Sequence, residues 1–199
     1  MAILRPYRDY DEKDVINVFT YSGTLPVTAG TLVKIQRGFI STDEPLEMIG
    51  APGAAYNNTV SQRYGAYAKV TACGAGGTPI GMLLMDVRDT DENGEKLLYN
   101  PRKAAEMGCV ISGQAVPIVT RGTFLYSGAT LASETPAAHD KLYAAAGGDM
   151  TTTPTSGLVQ YWATASGISA VSGITSPSVG YCLGGLAVGS GVMIRLNID

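Results

Sequence analysis

The chain has 199 residues, with 14 Lys and Arg against 17 Asp and Glu, which gives a formal net charge of −3. This balance argues against a general nucleic-acid binder, which needs a cationic face to release counterions from phosphates, although a local basic patch is compatible with it. Charged residues are only 16% of the sequence and Gly contributes 25 residues. We therefore expect a turn-rich protein with part of its surface covered by partners, the alternative being a neutral, loop-rich monomer.

Residues 1–14 carry alternating charges and tyrosines without apolar periodicity, which predicts an extended N-terminal arm. Arg and Tyr anchor well in a partner's groove, so we take a set of four side chains as candidate interface residues: Arg5, Tyr7, Arg8 and Tyr10. The alternative is a frayed terminus. The arm has no apolar core of signal-peptide length, and no stretch reaches the roughly 20 apolar residues that span a bilayer. We expect synthesis in a cytoplasm and no membrane partner.

A short pattern of alternating apolar and polar residues ending in Arg-Gly occurs twice, at 33–38 and 117–122. Alternation with a period of two is typical of strands with one buried face. Together with neighbouring β-favouring runs, it predicts strands at 15–21, 31–37, 64–73 and 78–87, the last two paired across a Gly74–Gly77 turn. Residues 42–58 contain Pro45, Pro52 and Gly53 and are predicted to form a long functional or mobile loop.

The second half is again rich in strand patterns. Strands are predicted at 116–120, 123–127, 141–145, 158–163, 179–186 and 192–198, with loops at 151–157 and 166–173. One short helix is expected at 100–108, where Asn100 would cap, Pro101 would occupy the first helical position and Gly108 would end it. The prediction is an all-β fold, an antiparallel β-barrel or sandwich of short strands with one short helix, comprising the arm 1–14 and a single β domain at 15–199.

The segment 89–94 matches the first half of a calcium-binding loop, with oxygen-bearing side chains at Asp89, Asp91 and Asn93. The twelfth position, which should supply a bidentate Glu, is Asn100. A hairpin or loop turn around Asn93-Gly94 explains the segment better, and whether these three residues bind a cation is left open.

Other candidates for chemistry are isolated. The glycines at 74–77 lack the spacing of a nucleotide-binding loop, and His139, the only histidine, has no G-x-S-x-G serine elbow to form a triad. The three cysteines lack a C-x-x-C spacing and are expected to be buried small apolar residues: Cys73, Cys109 and Cys182. We therefore predict no enzyme and assign no catalytic, cofactor-binding or metal-binding residue, although a glycosidase could still be assembled from distant carboxylates.

The later chain carries a recognisable order of motifs: Gly108-Cys-Val-Ile-Ser-Gly-Gln-Ala-Val-Pro117, an Arg-Gly followed by a strand, Asp140-Lys-Leu-Tyr143, Gly148-Asp-Met-Thr-Thr152, and a turn at 179–183 before a β-rich end. This order resembles the small capsid decoration, or cement, proteins of tailed bacteriophages. The opening Arg-Pro-Tyr-Arg-Asp-Tyr-Asp looks like the arm of a phage head protein. The resemblance covers 15–40 and 78–199, and Lys141 departs from it where the pattern often has a small or acidic residue.

The resemblance implies a structural virion protein, made in the host cytoplasm, that binds the outside of the expanded icosahedral capsid. It would bridge neighbouring major capsid subunits as a homo-oligomer, a trimer in preference to a dimer, without contacting nucleic acid directly. The arm would lie over an adjacent subunit. The alternative is a carbohydrate-binding or adhesin-type β module of a phage tail or cell surface, with Tyr161 and Trp162 as its platform.

Overall fold

The computed structural model describes residues 4–7, 11–39, 46–47, 55–56, 68–156, 158–164, 167–185 and 191–198. Within these ranges the strands are β1 Leu4–Pro6, β2 Val15–Tyr21, β3 Leu32–Phe39, β4 Leu46–Glu47, β5 Ala55–Tyr56, β6 Ala68–Ala72, β7 Gly81–Leu83, β8 Asp86–Arg88, β9 Cys109–Ile111, β10 Ala115–Val119, β11 Arg121–Tyr126, β12 Lys141–Ala144, β13 Met150–Thr151, β14 Leu158–Thr164, β15 Gly167–Ile174, β16 Ser178–Gly185 and β17 Val192–Asn197. The helices are α1 Pro101–Glu106 and α2 Ala129–Glu134, and single 3-10 turns lie at Glu12–Asp14, Leu97–Tyr99 and Ala146–Gly148. The all-β prediction is confirmed, but α2 is a second helix where one was expected.

The largest sheet has six strands in the order β1-β11-β17-β16-β12-β13, and every neighbouring pair is antiparallel. Strand β17 shows its two-sided character: Val192, Ile194 and Leu196 are buried, while Arg195 and Asn197 are exposed. This is the alternation predicted from the sequence. One face of the sheet therefore forms the core and the other faces outward.

Five other strands form a closed barrel in the order β10-β2-β6-β3-β7, in which only β2 and β6 are parallel. The first copy of the repeated sequence pattern lies in β3, and the second runs from β10 into β11. Strands β3 and β10 both pair with the short strand β7 between them. Gly81 in β7 permits this close approach, because a Cβ there would lie 2.6 Å from the carbonyl oxygen of Val119. The predicted pairing of 64–73 with 78–87 is wrong: β6 and β7 both pair with β3, on its opposite edges.

The barrel and the sheet share one hydrophobic cluster. Leu32, Met82 and Val119 from the barrel pack with Phe124 and Ile194 from the sheet, all of them fully buried. The chain passes from barrel to sheet at Thr120, whose N–H and hydroxyl both donate to the carbonyl of Asp14 and whose own carbonyl accepts the N–H of Ile198 at 3.0 Å. The two sheets are therefore held by a common core and by backbone hydrogen bonds at their joint.

The predicted helix forms as α1 and packs beside β9, which pairs in parallel with β8. Asn100 precedes the helix as expected, but its side chain makes no capping hydrogen bond; its carbonyl accepts the N–H groups of Lys103 and Ala104 instead. Gly108, at φ +63°, follows the helix in the left-handed conformation that glycine adopts readily. No helix within the described ranges is long and apolar enough to span a bilayer.

A separate hairpin lies between β13 and β16. Its strands, β14 and β15, pair with each other and with no other strand in the described part of the chain. The loop predicted at 166–173 is therefore wrong, because β15 occupies it: its Ser, Gly and Ala residues weaken the strand signal without preventing pairing. Of the loop predicted at 42–58, the structure describes β4 and β5, which pair antiparallel; the rest of that range lies outside the described residues.

Candidate partner-docking surface

Residues 4–7 of the predicted arm lie on the protein's own sheet, and Glu12–Asp14 form a 3-10 turn before β2. Strand β1 pairs with β11, so that Leu4 is opposite Tyr126 and enters the core. The N–H of Tyr7 donates to the carbonyl of Thr123 at 3.0 Å. Arg5 and Tyr7 themselves are exposed, Tyr7 to 63%, as an interface role requires, while Arg8 and Tyr10 lie outside the described residues.

Next to Arg5 lies the outward side of the six-stranded sheet, which we call the outer face. In each strand, outward side chains alternate with buried ones. The outward side chains are those of Arg5, Arg121, Thr123, Leu125, Lys141, Tyr143, Tyr181, Met193, Arg195 and Asn197. Five strands contribute to it, and all are held in register by antiparallel pairing. The outer face is therefore a fixed array of side chains on regular backbone.

A row of paired residues crosses the middle of this face. Thr123 of β11 is opposite Arg195 of β17, which is opposite Tyr181 of β16, which in turn is opposite Lys141 of β12. The guanidinium carbon of Arg195 lies 6.0 Å from the centre of the Tyr181 ring, within the range of a cation–π contact. The exposed His139 ring stacks on the same tyrosine, with ring centres 6.2 Å apart. Tyr181 thus contacts Arg195 and His139 and lies opposite Lys141.

The charge on this sheet is of one sign. Its six strands contain four basic residues, namely Arg5, Arg121, Lys141 and Arg195, all exposed, and no Asp or Glu. These four residues are among the 14 Lys and Arg of the chain, and none of its 17 Asp and Glu lies on these strands. The rest of the chain therefore has ten basic and 17 acidic residues, a formal charge of −7. The local basic patch that the acidic composition permitted is present.

The half-matched calcium loop forms the predicted turn, with Thr90 bridged to Lys96 and Gly94 at φ +84°. The carboxylate of Asp91 is engaged within the protein: one oxygen accepts the N–H groups of Asn93 and Glu95, both at 2.8 Å, and the other bonds to the ammonium of Lys103. The hydrogen bond from Lys103 holds the pKa of Asp91 below its usual value. No group of three potential metal ligands occurs among the described residues.

The remaining candidates from the sequence are the glycines at 74–77, the three cysteines, and Tyr161 with Trp162. The glycine-rich segment is a turn in which the N–H of Gly77 donates to the carbonyl of Gly74 at 3.0 Å. All three cysteines are buried, as predicted, and burial raises the pKa of each thiol. Tyr161 and Trp162 lie in β14, and the structure does not describe their side chains.

Two half-buried carboxylates, those of Asp149 and Glu134, were not identified from the sequence. Asp149 accepts hydrogen bonds from the Tyr126 hydroxyl and from the N–H groups of Thr130 and Met150. Glu134, at the end of α2, accepts from Thr152 through both its N–H, at 2.6 Å, and its hydroxyl. Burial acts to raise the pKa of each carboxyl, but these hydrogen bonds outweigh it and the pKa is lowered in both. With these bonds made, the two carboxylates tie α2 to β13 and the sheet.

Comparisons with protein families, with curated proteins and with solved structures give no match to this chain. Sequence reasoning identified Arg5 and Tyr7 but missed Arg121, Lys141 and Arg195. Lys141 and Arg195 lie in predicted strands, whereas Arg121 falls between the strands predicted at 116–120 and 123–127 and is the first residue of β11. The shared face of the three residues depends on a strand order that alternation does not give.

Proposed function

We propose that this protein is a structural virion component that binds the outside of an expanded icosahedral capsid and bridges neighbouring major capsid subunits. The observation that carries the proposal is the outer face, a rigid antiparallel surface with exposed Arg and Lys side chains and half-buried Tyr side chains. The motif order from Gly108 to Leu183, with its resemblance to capsid decoration proteins, adds support. The role is one of binding, with no reaction assigned.

The geometry suits a shell protein for a physical reason. A sheet face with its side chains held by strand pairing loses little conformational entropy on docking. Several modest contacts, joined in a homo-oligomer that we take to be a trimer in preference to a dimer, add avidity. The protein would act on the capsid exterior after synthesis in the host cytoplasm.

Co-sedimentation with decoration-free phage heads, expanded and unexpanded, tests this function. We expect saturable binding to expanded heads only, at a fixed ratio to capsid subunits. Absence of binding to both forms would overturn the proposal. Quenching of the tryptophan fluorescence by a host polysaccharide would then favour the carbohydrate-binding alternative.

The role of the N-terminal segment in binding is tested by substitution and not by deletion, because removing residues 1–14 would also remove Leu4 from the core. The double variant Arg5→Ala/Tyr7→Ala keeps the backbone pairing of β1 and removes the exposed side chains of Arg5 and Tyr7. We expect weaker binding to expanded heads. The matched control is Tyr99→Ala/Arg102→Ala, which removes the same residue types from exposed positions at and just before α1. Equal binding by both variants would exclude an interface role for Arg5 and Tyr7.

A further inference from the structure

We propose that the outer face recognises a carboxylate-rich surface of its protein partner, the four basic side chains pairing with Asp and Glu side chains. This inference rests on the proposed function and adds the chemistry of the surface that is bound. It follows from the segregation of charge, from the spacing of the cations and from the side chains that lie between them.

Charge segregation gives the direction of the contact. The strands of the outer face carry only cations, while the other described residues contain eight Lys and Arg against 13 Asp and Glu, a formal charge of −5. Such a distribution orients an approaching acidic surface toward the sheet and repels it elsewhere. No residue from 150 to 194 is charged, so Lys141 and Arg195 act on either side of an uncharged strand, β16.

The cations are spaced along the sheet and are not clustered. Lys141 and Arg195 lie two strands apart, which corresponds to about 10 Å between their backbones. Arg121 lies two residues before Thr123, which is the residue of β11 opposite Arg195, and Arg5 lies on the edge strand β1. Separate cations of this kind suit separate carboxylates on a folded partner. The Arg195 guanidinium is also kept near the Tyr181 ring, so less side-chain freedom is lost on binding.

The side chains between the cations favour a protein over a nucleic acid or a membrane. Tyr143, Tyr181, Leu125 and Met193 are half-buried and lie among the basic residues. Tyr, Met and Arg are the residue types enriched in the centres of protein interfaces, where they are desolvated together. A long nucleic acid would extend past this face and meet the negative remainder of the molecule.

The test is a charge reversal with a matched control. The variant Lys141→Glu/Arg195→Glu changes two cations of the outer face. The control, Lys13→Glu/Arg102→Glu, changes the net charge by the same amount at side chains that are 88% and 89% exposed and lie off the outer face. Thermal unfolding establishes that both variants fold. Their affinities for expanded heads are then measured by co-sedimentation at two salt concentrations.

We expect the outer-face variant to lose at least about tenfold in affinity and the control to stay within about twofold, with wild-type binding weakened by salt. If wild type binds heads and both variants bind equally well, the inference is overturned while the proposed function stands. If wild type does not bind heads but binds poly-L-glutamate, and the outer-face variant alone loses that binding, the capsid function fails and the carboxylate recognition stands. If the protein binds duplex DNA or phosphatidylserine vesicles more tightly than both heads and polyglutamate, its partner is not a carboxylate-rich protein and the inference is overturned.

Discussion

At the scale of single residues, the buried hydroxyl of Tyr126 is bonded to a carboxylate from a distant part of the chain. The hydroxyl of Tyr126, on the core side of β11, donates to Asp149, which precedes β13. Burial, together with the neighbouring Asp149 charge, raises the pKa of Tyr126 far above its usual value, so this hydroxyl stays protonated and remains a donor. The pair fixes α2 against the sheet.

Tyr126→Phe removes that donor and leaves the Asp149 carboxylate with one hydrogen bond fewer. We expect a loss of about 1–3 kcal/mol in the free energy of unfolding at pH 7. Urea denaturation measures it, with Tyr143→Phe on the outer face as the control, expected to change stability by less than about 0.5 kcal/mol. Equal effects of the two variants would contradict the role assigned to the buried hydroxyl.

The pair Asp91–Lys103 makes stability depend on pH. The folded state lowers the pKa of Asp91 and raises that of Lys103, in both cases mainly through their mutual hydrogen bond. The stabilisation from Asp91 is thus full above its unfolded pKa of about 3.9 and is lost as pH falls through the lower folded value. That from Lys103 is full below about 10.4 and is lost as pH rises through the higher folded value.

Asp91→Asn is therefore expected to be less stable than wild type between these limits, with the difference shrinking in strong acid and in strong base. Urea midpoints of both proteins, measured from acid to alkaline pH, check this. A stability difference that does not vary with pH would show that the loss comes from the turn geometry and not from the charge pair.

At the scale of elements, glycines in β16 set how closely the central strands approach. A Cβ at Gly180 would lie 2.2 Å from the carbonyl oxygen of Arg195, in the neighbouring strand β17. At Gly184, in the same strand, a Cβ would have no atom within 4 Å. The two positions thus form a matched pair for substitution.

We expect Gly180→Ala to cost about 1–3 kcal/mol in the free energy of unfolding, because β17 has to move away from β16. Gly184→Ala is expected to change it by less than about 0.5 kcal/mol. Denaturant titration of both variants measures the contrast. If Gly184→Ala were the more damaging of the two, the packing of β16 on β17 described above would be wrong.

The β14–β15 hairpin is expected to be dispensable for folding. Its neck is closed by Thr155 and Ser176, through hydrogen bonds from the Ser176 N–H to the Thr155 carbonyl at 2.9 Å and from the Thr155 N–H to the Ser176 hydroxyl at 3.1 Å. Replacing residues 158–174 by a short Gly-Ser linker should therefore cost less than about 1 kcal/mol, or about 2–4 °C in Tm. Thermal unfolding followed by circular dichroism measures it. A variant that fails to fold would show that the hairpin supports the sheet.

Strand positions are largely readable from the sequence, and their pairing is not. Alternation located β17, which buries one face, and β-favouring composition located β2. Both missed α2, a helix of six residues that is tied to the sheet by Glu134, a tertiary contact invisible in local sequence. The pairing of β6 and β7 with β3, rather than with each other, is likewise decided by packing in the barrel.

At the scale of the whole molecule, the shared cluster couples the barrel to the sheet. Met82 belongs to a barrel strand but is fully buried against residues of the sheet. Met82→Ala should cost about 2–5 kcal/mol in the free energy of unfolding. Hydrogen exchange is expected to speed up in β17 as well as in β10. Loss of protection confined to β10 would mean that the barrel and the sheet unfold separately.

The outer face is a property of this whole-molecule arrangement. Arg5, Arg121, Lys141 and Arg195 are far apart in the sequence and meet only because β11, β17, β16 and β12 lie side by side. Strand positions were predicted from the sequence for Lys141 and Arg195, but not for Arg5, in the predicted arm, or for Arg121, between two predicted strands. The convergence of the four residues could not be predicted, since it depends on long-range pairing.

The strand order also has a consequence for biosynthesis. Strand β17 is the last of the sheet to leave the ribosome, yet it lies inside the sheet, between β11 and β16. Until it emerges, both neighbours lack the partner that later covers their edges, and unpaired edges can bind other chains. A chain that lacks residues 192–197 would therefore keep two uncovered strand edges and be at risk of aggregation, whereas β17 covers both edges with a single strand.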